Sequence, residues 1–212
     1  MSQSILLHED DLPISALEEG ANVAIDTETT GLNLFADRLC LVQFCFGTSK
    51  CHLVRINKGR DYPNICTLLS NNKIKKIFHY GRFDIAMLYM RFKVLVQNVY
   101  CTKIASKFAR TYTERHGLAN ICRELLGIEI SKEQQSSDWG GVILSEAQKT
   151  YAASDVLYLH QIYEILNERL IREDRFGLVS ECFKFLPTRA LLDCLGMSND
   201  VFDWSGKLSG SH

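Results

Sequence analysis

The segment NVAIDTETTGL, residues 22–32, decides the fold of this chain. Its first five residues have an apolar centre and predict a buried β-strand. Asp26 and Glu28 stand two residues apart, so their carboxylates would project from the same face of that strand. Two anions on one face repel unless a cation lies between them, and hard divalent ions bind carboxylate oxygens. The segment therefore indicates half of a metal site, although Asp, Thr and Gly in this order also favour an ordinary turn.

Outward from this segment, hydrophobic periodicity predicts a strand meander followed by alternating strands and helices. Strands are expected at 22–26, 38–46, 51–56 and 76–79. Helices are expected at 64–69, 82–92, 102–110, 117–126, 145–173 and 178–195, the last interrupted or kinked at Pro187. This order predicts an α/β domain in which helices flank a mixed central sheet.

The length of 212 residues suits a single domain with a C-terminal helical extension at about 175–204. The final stretch, 205–212, is rich in Gly and Ser and is expected to be loose. The chain has 24 Lys and Arg against 25 Asp and Glu, a formal net charge of −1. This balance argues against a protein that grips a long duplex, because such proteins usually carry a basic excess. Either the partner is not nucleic acid, or the nucleic acid touches a small footprint.

Eight cysteines are present, and no two of them form a CxxC pair. Most lie in apolar runs, which predicts buried free thiols in a reducing cytosol. The N-terminal stretch MSQSILLHEDDLP has no basic start and only a short apolar run, so it does not resemble a signal peptide. No apolar stretch approaches the ~20 residues that span a membrane. We therefore expect a cytoplasmic protein with no membrane association.

Three further residues join the candidate site. Asp84, in FHYGRFDIAML, lies early in a predicted helix, where an acidic residue also simply favours the helix dipole. Tyr151 and Asp155 are four residues apart and therefore share one helix face. Asp155 lies at the edge of an apolar stripe, and no Lys or Arg stands three or four residues away; the stripe is Ala152, Val156, Leu159, Tyr163, Leu166 and Leu170. A metal would offset the cost of burying this carboxylate, and an exposed Asp beside a half-buried Tyr is the alternative.

In the order D-x-E, then D, then Y-x-x-x-D, the sequence resembles the DEDDy 3′-5′ exonucleases of the ribonuclease D family. The blocks IDTETTGL, GRFD, KEQQSSDW and YAASDVLYLH carry this likeness through residues 22–170. The resemblance implies a ribonuclease H-like (DnaQ-like) fold and hydrolysis of phosphodiesters to nucleoside 5′-monophosphates. It also implies two divalent ions, Mg²⁺ or Mn²⁺, held by Asp26, Glu28, Asp84 and Asp155, with Asp26 bridging. Tyr151 would then orient the attacking water.

By the same resemblance, a further set of residues would contact the substrate: Thr27, Leu32, Phe83, Lys132, Gln135, Ser137 and Trp139. Leu32 would wedge between two bases, and Phe83 would offer a ring for stacking. For Trp139, ordinary packing is an equally good interpretation.

The likeness is greatest to the small stand-alone members of the family, the nanoRNase C group, through CTKIASKFARTYTERHGL, ISKEQQSSDW and CFKFLPTRALLDCLG. It implies a homo-oligomeric ring, such as an octamer, that degrades very short single-stranded RNA, above all dinucleotides. One alternative is an exonuclease that trims longer RNA 3′ ends, such as those of tRNA, or single-stranded DNA. A more distant one is an inactive nucleic-acid-binding module. Lys103, Lys107 and Arg110 share one predicted helix face, which would guide phosphates or would simply be solvated.

Overall fold

A computed structural model of the chain describes residues 4–48, 50–131, 133–197 and 201–202. In chain order, the strands of this part are β1 (Ser4–His8), β2 (Asn22–Thr29), β3 (Leu39–Cys45), β4 (Lys50–Arg55), β5 (Lys75–Phe78) and β6 (Val99–Cys101). A 3-10 helix spans Ile14–Glu18, and the α-helices are α1 (Pro63–Ser70), α2 (Arg82–Phe92), α3 (Thr102–Ala109), α4 (Leu118–Leu126), α5 (Glu146–Leu157), α6 (Leu159–Arg172) and α7 (Phe176–Cys194).

The strands form one mixed sheet in the order β1-β4-β3-β2-β5-β6. The predicted meander is confirmed, because β2, β3 and β4 pair antiparallel. β1 then joins β4, β5 joins β2 and β6 joins β5, all in parallel. The acidic segment therefore lies on a central strand, with hydrogen-bonded neighbours on both sides.

The strands β1 and β6 were not predicted from the sequence. They have five and three residues, which is too short for a periodic pattern to stand out. β2 is also longer than the predicted 22–26 and runs to Thr29, so Asp26 and Glu28 lie within the strand and not beyond its end.

The single helix predicted at 145–173 is wrong, because the structure has two helices that meet at Tyr158. The backbone N–H of Tyr158 bonds to the carbonyl of Val156, which tightens the chain for one residue. Tyr158 keeps right-handed dihedrals (φ −93°, ψ −8°), so the apolar stripe continues across the break. Five of the six stripe residues are fully buried: Ala152, Val156, Leu159, Leu166 and Leu170. Hydrophobic periodicity cannot detect a break that leaves the buried face in register.

The C-terminal helix α7 is continuous through Pro187, so the predicted interruption is not found. The helix packs on α2, on α3 and on β6. Asp193 near its end accepts two hydrogen bonds from Arg82, at 2.6 and 2.7 Å, and one from Arg189 at 2.9 Å. These contacts attach the helical extension to the start of α2. The tail at 205–212, predicted to be loose, lies outside the described residues.

All eight cysteines are free, and five are buried: Cys40, Cys45, Cys51, Cys101 and Cys122. Most of the predicted buried thiols are therefore confirmed. None of the helices in the described part of the chain is long and apolar enough to cross a membrane.

The predicted basic face at 103, 107 and 110 is not a single solvated surface. Lys107 is exposed, whereas Arg110 is fully buried. The Arg110 guanidinium donates two hydrogen bonds to the Glu124 carboxylate of α4 and one each to Ser106 Oγ and the Arg115 carbonyl. Arg110 therefore joins α3 to α4. Its charge is paired with the Glu124 carboxylate and does not face solvent.

We predict that Glu124→Ala lowers the free energy of unfolding by about 2 kcal/mol, because it leaves the buried Arg110 without its carboxylate. The loss is less than that of a fully buried pair, since the Glu124 side chain is 40% exposed. Urea unfolding measures the change. Glu129→Ala is the control, because its pair with Arg123 spans 4.0 Å between exposed side chains and should contribute less than about 0.5 kcal/mol. Equal effects of the two substitutions would contradict this interpretation.

Candidate active site

Two carboxylates of the site project from one face of the central strand. Asp26 pairs across the sheet with Gln43, and Glu28 pairs with Leu41. The register then shifts, so that Thr29 pairs with Leu39 and β3 carries one extra residue. Such bulges bend a strand and re-aim its side chains, and they are frequent beside active sites. Gln43 Nε2 also donates to Glu28 Oε1 at 3.4 Å and so helps to hold this carboxylate.

A third carboxylate comes from α5, which packs against β2, β3 and β4. Asp155 offers an oxygen that lies, with one oxygen each of Asp26 and Glu28, in a group whose members are all within 4.8 Å of one another. All three residues are half-buried. The structure thus brings together residues that are more than 120 positions apart in the chain, as the metal-site hypothesis requires.

Asp84 lies in the first turn of α2, as predicted, and is only 7% exposed. The Thr27 hydroxyl donates a hydrogen bond of 2.5 Å to Asp84 Oδ1. Gly81 permits the tight entry into this helix, because a Cβ at that position would meet Phe78 Cβ at 2.5 Å. Asp84 is therefore attached to the strand that carries Asp26 and Glu28, although it is not a member of the 4.8 Å group.

The pKa values of all four carboxylates are raised above their usual range. Burial and the charges of Asp84, Asp155 and Glu28 hold the pKa of Asp26 well above its usual range. Burial, followed by the charges of Asp155 and Asp84, raises the pKa of Glu28 to about 9. Burial is also the main cause that raises the pKa of Asp155 to about 7 and that of Asp84 to about 6.

Among the described residues, no Lys, Arg or His lies within 4.0 Å of any of these four carboxylates. Buried anions that have no cationic partner are costly, and a positive ion among them would remove that cost. The donor atoms are carboxylate oxygens, which are the ligands that Mg²⁺ prefers. The residues therefore fit a hard divalent ion.

Tyr151 stands one turn before Asp155, and its hydroxyl interacts with that carboxylate. Burial and the charges of Asp155 and Glu28 hold the pKa of Tyr151 well above its usual value, so its phenol keeps its proton at neutral pH. Its ring packs against Trp139, with the ring centroids 6.0 Å apart. Trp139 is only 4% exposed, and its indole N–H has no acceptor among the described residues.

A cavity of about 640 Å³ opens over the carboxylates, with Asp26, Glu28, Asp155 and Tyr151 in its wall. Six of the seven predicted substrate residues line this cavity: Thr27, Leu32, Phe83, Gln135, Ser137 and Trp139. The seventh, Lys132, lies outside the described residues. Leu32 is 85% exposed, which is unusual for a leucine and leaves its side chain free to contact a ligand.

The cavity is also lined by His79, Tyr80 and Lys103, of which the sequence analysis singled out only Lys103. Tyr80 has a positive φ of 63°, and Lys103 Nζ lies 3.3 Å from the centroid of its ring. His79 bonds Thr102 Oγ1 at 2.9 Å, and burial lowers the pKa of its ring to about 3, so it is neutral. In the sequence, His79 and Tyr80 form the HY pair directly before the GRFD block, and that position could have identified them.

The loop that carries Ser137 and Trp139 is held by α5 and by β4. Gln148 of α5 donates from Nε2 to Ser137 Oγ at 3.2 Å and to the Asp138 carbonyl at 3.0 Å. Arg55 of β4 donates to the carbonyls of residues 141 and 142, both at 2.6 Å. Ser145 and Gln148 also form a capping box that fixes the start of α5. The helix start predicted at 145 agrees with this cap.

Comparison with known proteins identifies the family. The family model described as 3′-5′ exonuclease matches residues 9–171. The ribonuclease D of Gluconacetobacter diazotrophicus is 34% identical over 158 residues, which cover 74% of this chain and 40% of that relative. The chain thus spans less than half the length of this curated relative.

Two solved structures of Brucella melitensis NrnC resemble the chain along nearly its whole length. The structure with bound Mg²⁺ has 50% sequence identity and a TM-score of 0.90, and covers 95% of this chain and 100% of that chain. The structure bound to pGG has 50% identity and a TM-score of 0.92, and covers 96% of this chain and 100% of that chain. The predicted ribonuclease H-like fold is confirmed. The chain belongs to the 3′-5′ exonuclease family, with ribonuclease D as a sequence relative and NrnC as a structural one.

Proposed function

We propose that this chain is a metal-dependent 3′-5′ exoribonuclease that releases nucleoside 5′-monophosphates from very short RNAs, above all dinucleotides. The observation that carries the proposal is the group of Asp26, Glu28 and Asp155 oxygens, within 4.8 Å of one another in the wall of a cavity. Tyr151 stands beside the same carboxylates. Because the four acids and the tyrosine are all present and adjacent, an active enzyme is favoured over an inactive binding module.

We propose that Asp26, Glu28, Asp84 and Asp155 would hold two divalent ions, Mg²⁺ or Mn²⁺. Burial without cationic partners in the described part of the chain supports this role, as does the presence of Mg²⁺ on the NrnC relative. When bound, such ions would stabilise both the attacking and the leaving oxygen of an in-line displacement. The Thr27 hydroxyl keeps Asp84 in place through its hydrogen bond.

In the reaction, a water oxygen attacks the phosphorus of the last phosphodiester. The bond between that phosphorus and the 3′ oxygen of the preceding nucleotide breaks, and this oxygen takes up a proton. The products are a nucleoside 5′-monophosphate and an RNA that is shorter by one residue. Tyr151 orients the attacking water through its hydroxyl, since a phenol whose pKa lies above its usual value is a poor base at neutral pH.

The cavity supports a short substrate. Leu32 and Phe83 offer apolar contacts to the bases, and Trp139 offers a buried indole N–H as a hydrogen-bond donor. The relative bound to pGG carries a two-base ligand. Among the described residues that line the cavity, Lys103 has the one permanently cationic side chain, so there is little positive charge to attract a long backbone. We propose that Lys103 binds a phosphate of the substrate.

We further propose that the chain is one exonuclease domain with α7 as a C-terminal extension, and that copies assemble into a homo-oligomeric ring. The attachment of Asp193 to Arg82 supports the first point. Val142 and Ile143 support the second, because they are adjacent, apolar and 88% and 85% exposed.

Substrate length is tested by competition between a labelled dinucleotide and unlabelled RNAs of two to ten residues. We expect the dinucleotide to have the highest kcat/KM, because a third base must be accommodated by a cavity that already contacts two. A ten-residue RNA that competes about ten times better would contradict the dinucleotide preference. That result would favour the exonuclease that trims longer RNA 3′ ends.

Removal of the Tyr151 hydroxyl should show whether this residue orients the attacking water or only packs against Trp139. We expect Tyr151→Phe to keep the melting temperature but to lower kcat by about 10²–10⁴-fold, the usual contribution of a positioned acid–base group. Tyr158→Phe is the matched control, about two turns further along the chain and outside the cavity wall, and should turn over like the wild type. A fall of less than about threefold in Tyr151→Phe would mean that the ring merely packs on Trp139.

Lys103→Ala should raise KM for a short RNA by about tenfold, which corresponds to the loss of one charge-assisted hydrogen bond of about 1.5 kcal/mol. Lys107→Ala is the control, since Lys107 lies one turn along α3, is exposed and does not line the cavity. Steady-state kinetics on both variants checks the assignment. If both substitutions change KM equally, the effect is general electrostatic attraction and not a contact.

Stabilisation by Mg²⁺ should depend on pH. The folded-state pKa values of Asp84, Asp155 and Glu28, at about 6, 7 and 9, lie above ordinary carboxylate values. The stability that these groups contribute in the metal-free protein is complete at acidic pH and is lost as pH rises through these values. Mg²⁺ competes with protons for the same oxygens, so it should raise the melting temperature more at pH 8.5 than at pH 5.5.

At a concentration about 100-fold above its Kd, Mg²⁺ should contribute about 2.7 kcal/mol at the higher pH. Thermal denaturation with chelator or Mg²⁺ measures both cases. Because the comparison is made at one pH with and without metal, the titration of histidines elsewhere cancels. Asp155→Asn should show a smaller gain. An equal gain at pH 5.5 and pH 8.5 in the wild type would argue against carboxylate ligation.

A further inference from the structure

A second cavity, of about 380 Å³, lies outside the catalytic cavity. We call it the Arg91 pocket, and it is bordered by the loop at 34–39, by residues 56–58 after β4 and by α2. None of its lining residues also lines the catalytic cavity. Its volume falls at the small end of the range of ligand sites in proteins.

Three cations surround the Arg91 pocket: Arg38, Lys58 and Arg91. In the part of the chain that the structure describes, none of them has a carboxylate within 4.0 Å. Arg91 instead donates to two backbone carbonyls, of Asn57 at 3.2 Å and of Arg60 at 2.5 Å. These bonds fix the orientation of the Arg91 guanidinium, but they do not neutralise its charge.

The one carboxylate in the wall of the pocket, Asp37, offsets only one of these three positive charges. Its Oδ1 accepts a hydrogen bond from Thr30 Oγ1 at 2.9 Å, and its Oδ2 accepts one from the backbone N–H of Asn33 at 2.9 Å. Both oxygens thus serve the internal structure of the loop. In a chain with a net charge of −1, the rim of this pocket keeps a local positive excess that attracts an anion.

The remaining walls are apolar and suited to a flat ring. Met87 and Met90 come from α2, and Leu34 comes from the loop. Methionine sulfur makes favourable contacts with aromatic rings. Phe35 stands at the rim and is 66% exposed, so its ring is free to stack on a ligand. A ligand that matches both features has an aromatic ring and an anionic group.

We propose that the Arg91 pocket binds a nucleoside 5′-monophosphate, with the base between Phe35 and the methionines and the phosphate against Arg38, Lys58 and Arg91. This site is distinct from the catalytic cavity and requires no divalent ion. Its ligand is of the same chemical class as the product of the proposed reaction, so its occupancy would follow RNA turnover.

The Arg91 pocket is linked to two parts of the wall of the catalytic cavity. Residues 30–32 line the catalytic cavity, and the same loop continues into the Arg91 pocket at 34–38. Arg38 Nη2 also donates to the carbonyl of Gly140 at 3.2 Å, directly after Trp139. The pocket is therefore connected to Leu32 and to Trp139 through one loop and one hydrogen bond.

Equilibrium dialysis of the full chain with labelled adenosine 5′-monophosphate, in excess chelator, tests the proposal. We expect wild-type protein to bind one nucleotide per chain, and Phe35→Ala and Lys58→Glu each to bind it about tenfold more weakly. Both side chains are exposed, so both variants should fold, which circular dichroism checks. Lys103→Ala should bind like the wild type. Adenosine alone and inorganic phosphate alone should compete poorly, because each satisfies half of the pocket.

Three results would overturn the proposal. The first is the absence of binding at millimolar nucleotide. If Phe35→Ala then changes the oligomeric mass, the pocket serves an interface between copies of the chain. The second is binding that is lost in Lys103→Ala and retained in Phe35→Ala and Lys58→Glu, which assigns the nucleotide to the catalytic cavity. The third is Lys58-dependent binding of a ten-residue RNA without binding of the mononucleotide, which makes the pocket a path for longer strands. Because dialysis requires no turnover, these outcomes are independent of whether the chain cleaves RNA.

Discussion

The main constraint on this structure is the repulsion among four carboxylates that the fold places close together. Asp26 and Glu28 come from the central strand, Asp84 from the start of α2 and Asp155 from α5, and their pKa values are all raised. A fold selected for stability alone would not bury four acids without cationic partners among its described residues. The arrangement becomes reasonable when divalent ions complete it, and the proposed metal-dependent exonuclease reaction rests on that condition.

The rest of the chain keeps these groups at fixed positions. Neutral hydrogen bonds, and not ion pairs, orient the acids: Thr27 donates to Asp84 and Gln43 to Glu28. Ion pairs are used one layer away, where they attach helices to each other, as between Arg110 and Glu124 or between Arg82 and Asp193. Among the described residues, no Lys, Arg or His therefore lies within 4.0 Å of the oxygens that would bind metal.

The sequence predicted the centre of the fold from local patterns, and the candidate site from local patterns together with a family resemblance. Alternation on β2 puts Asp26 and Glu28 on one face, and helical spacing puts Tyr151 beside Asp155. The errors have a different origin, since they concern features that local patterns do not encode. The break at Tyr158 leaves the buried face unchanged, and the burial of Arg110 depends on a partner on another helix. The Arg91 pocket was not foreseen for the same reason, because its walls come from three separate parts of the chain.

The most direct test of the central claim is cleavage of one short RNA, labelled at its 5′ end in one sample and at its 3′ end in another, with Mg²⁺ or with chelator. We expect the 3′ label to be released at once as a labelled nucleoside 5′-monophosphate and the 5′-labelled RNA to shorten one residue at a time. Chelator should abolish both. Cleavage that persists in chelator, or that begins at the 5′ end, would contradict the proposed role of the four carboxylates.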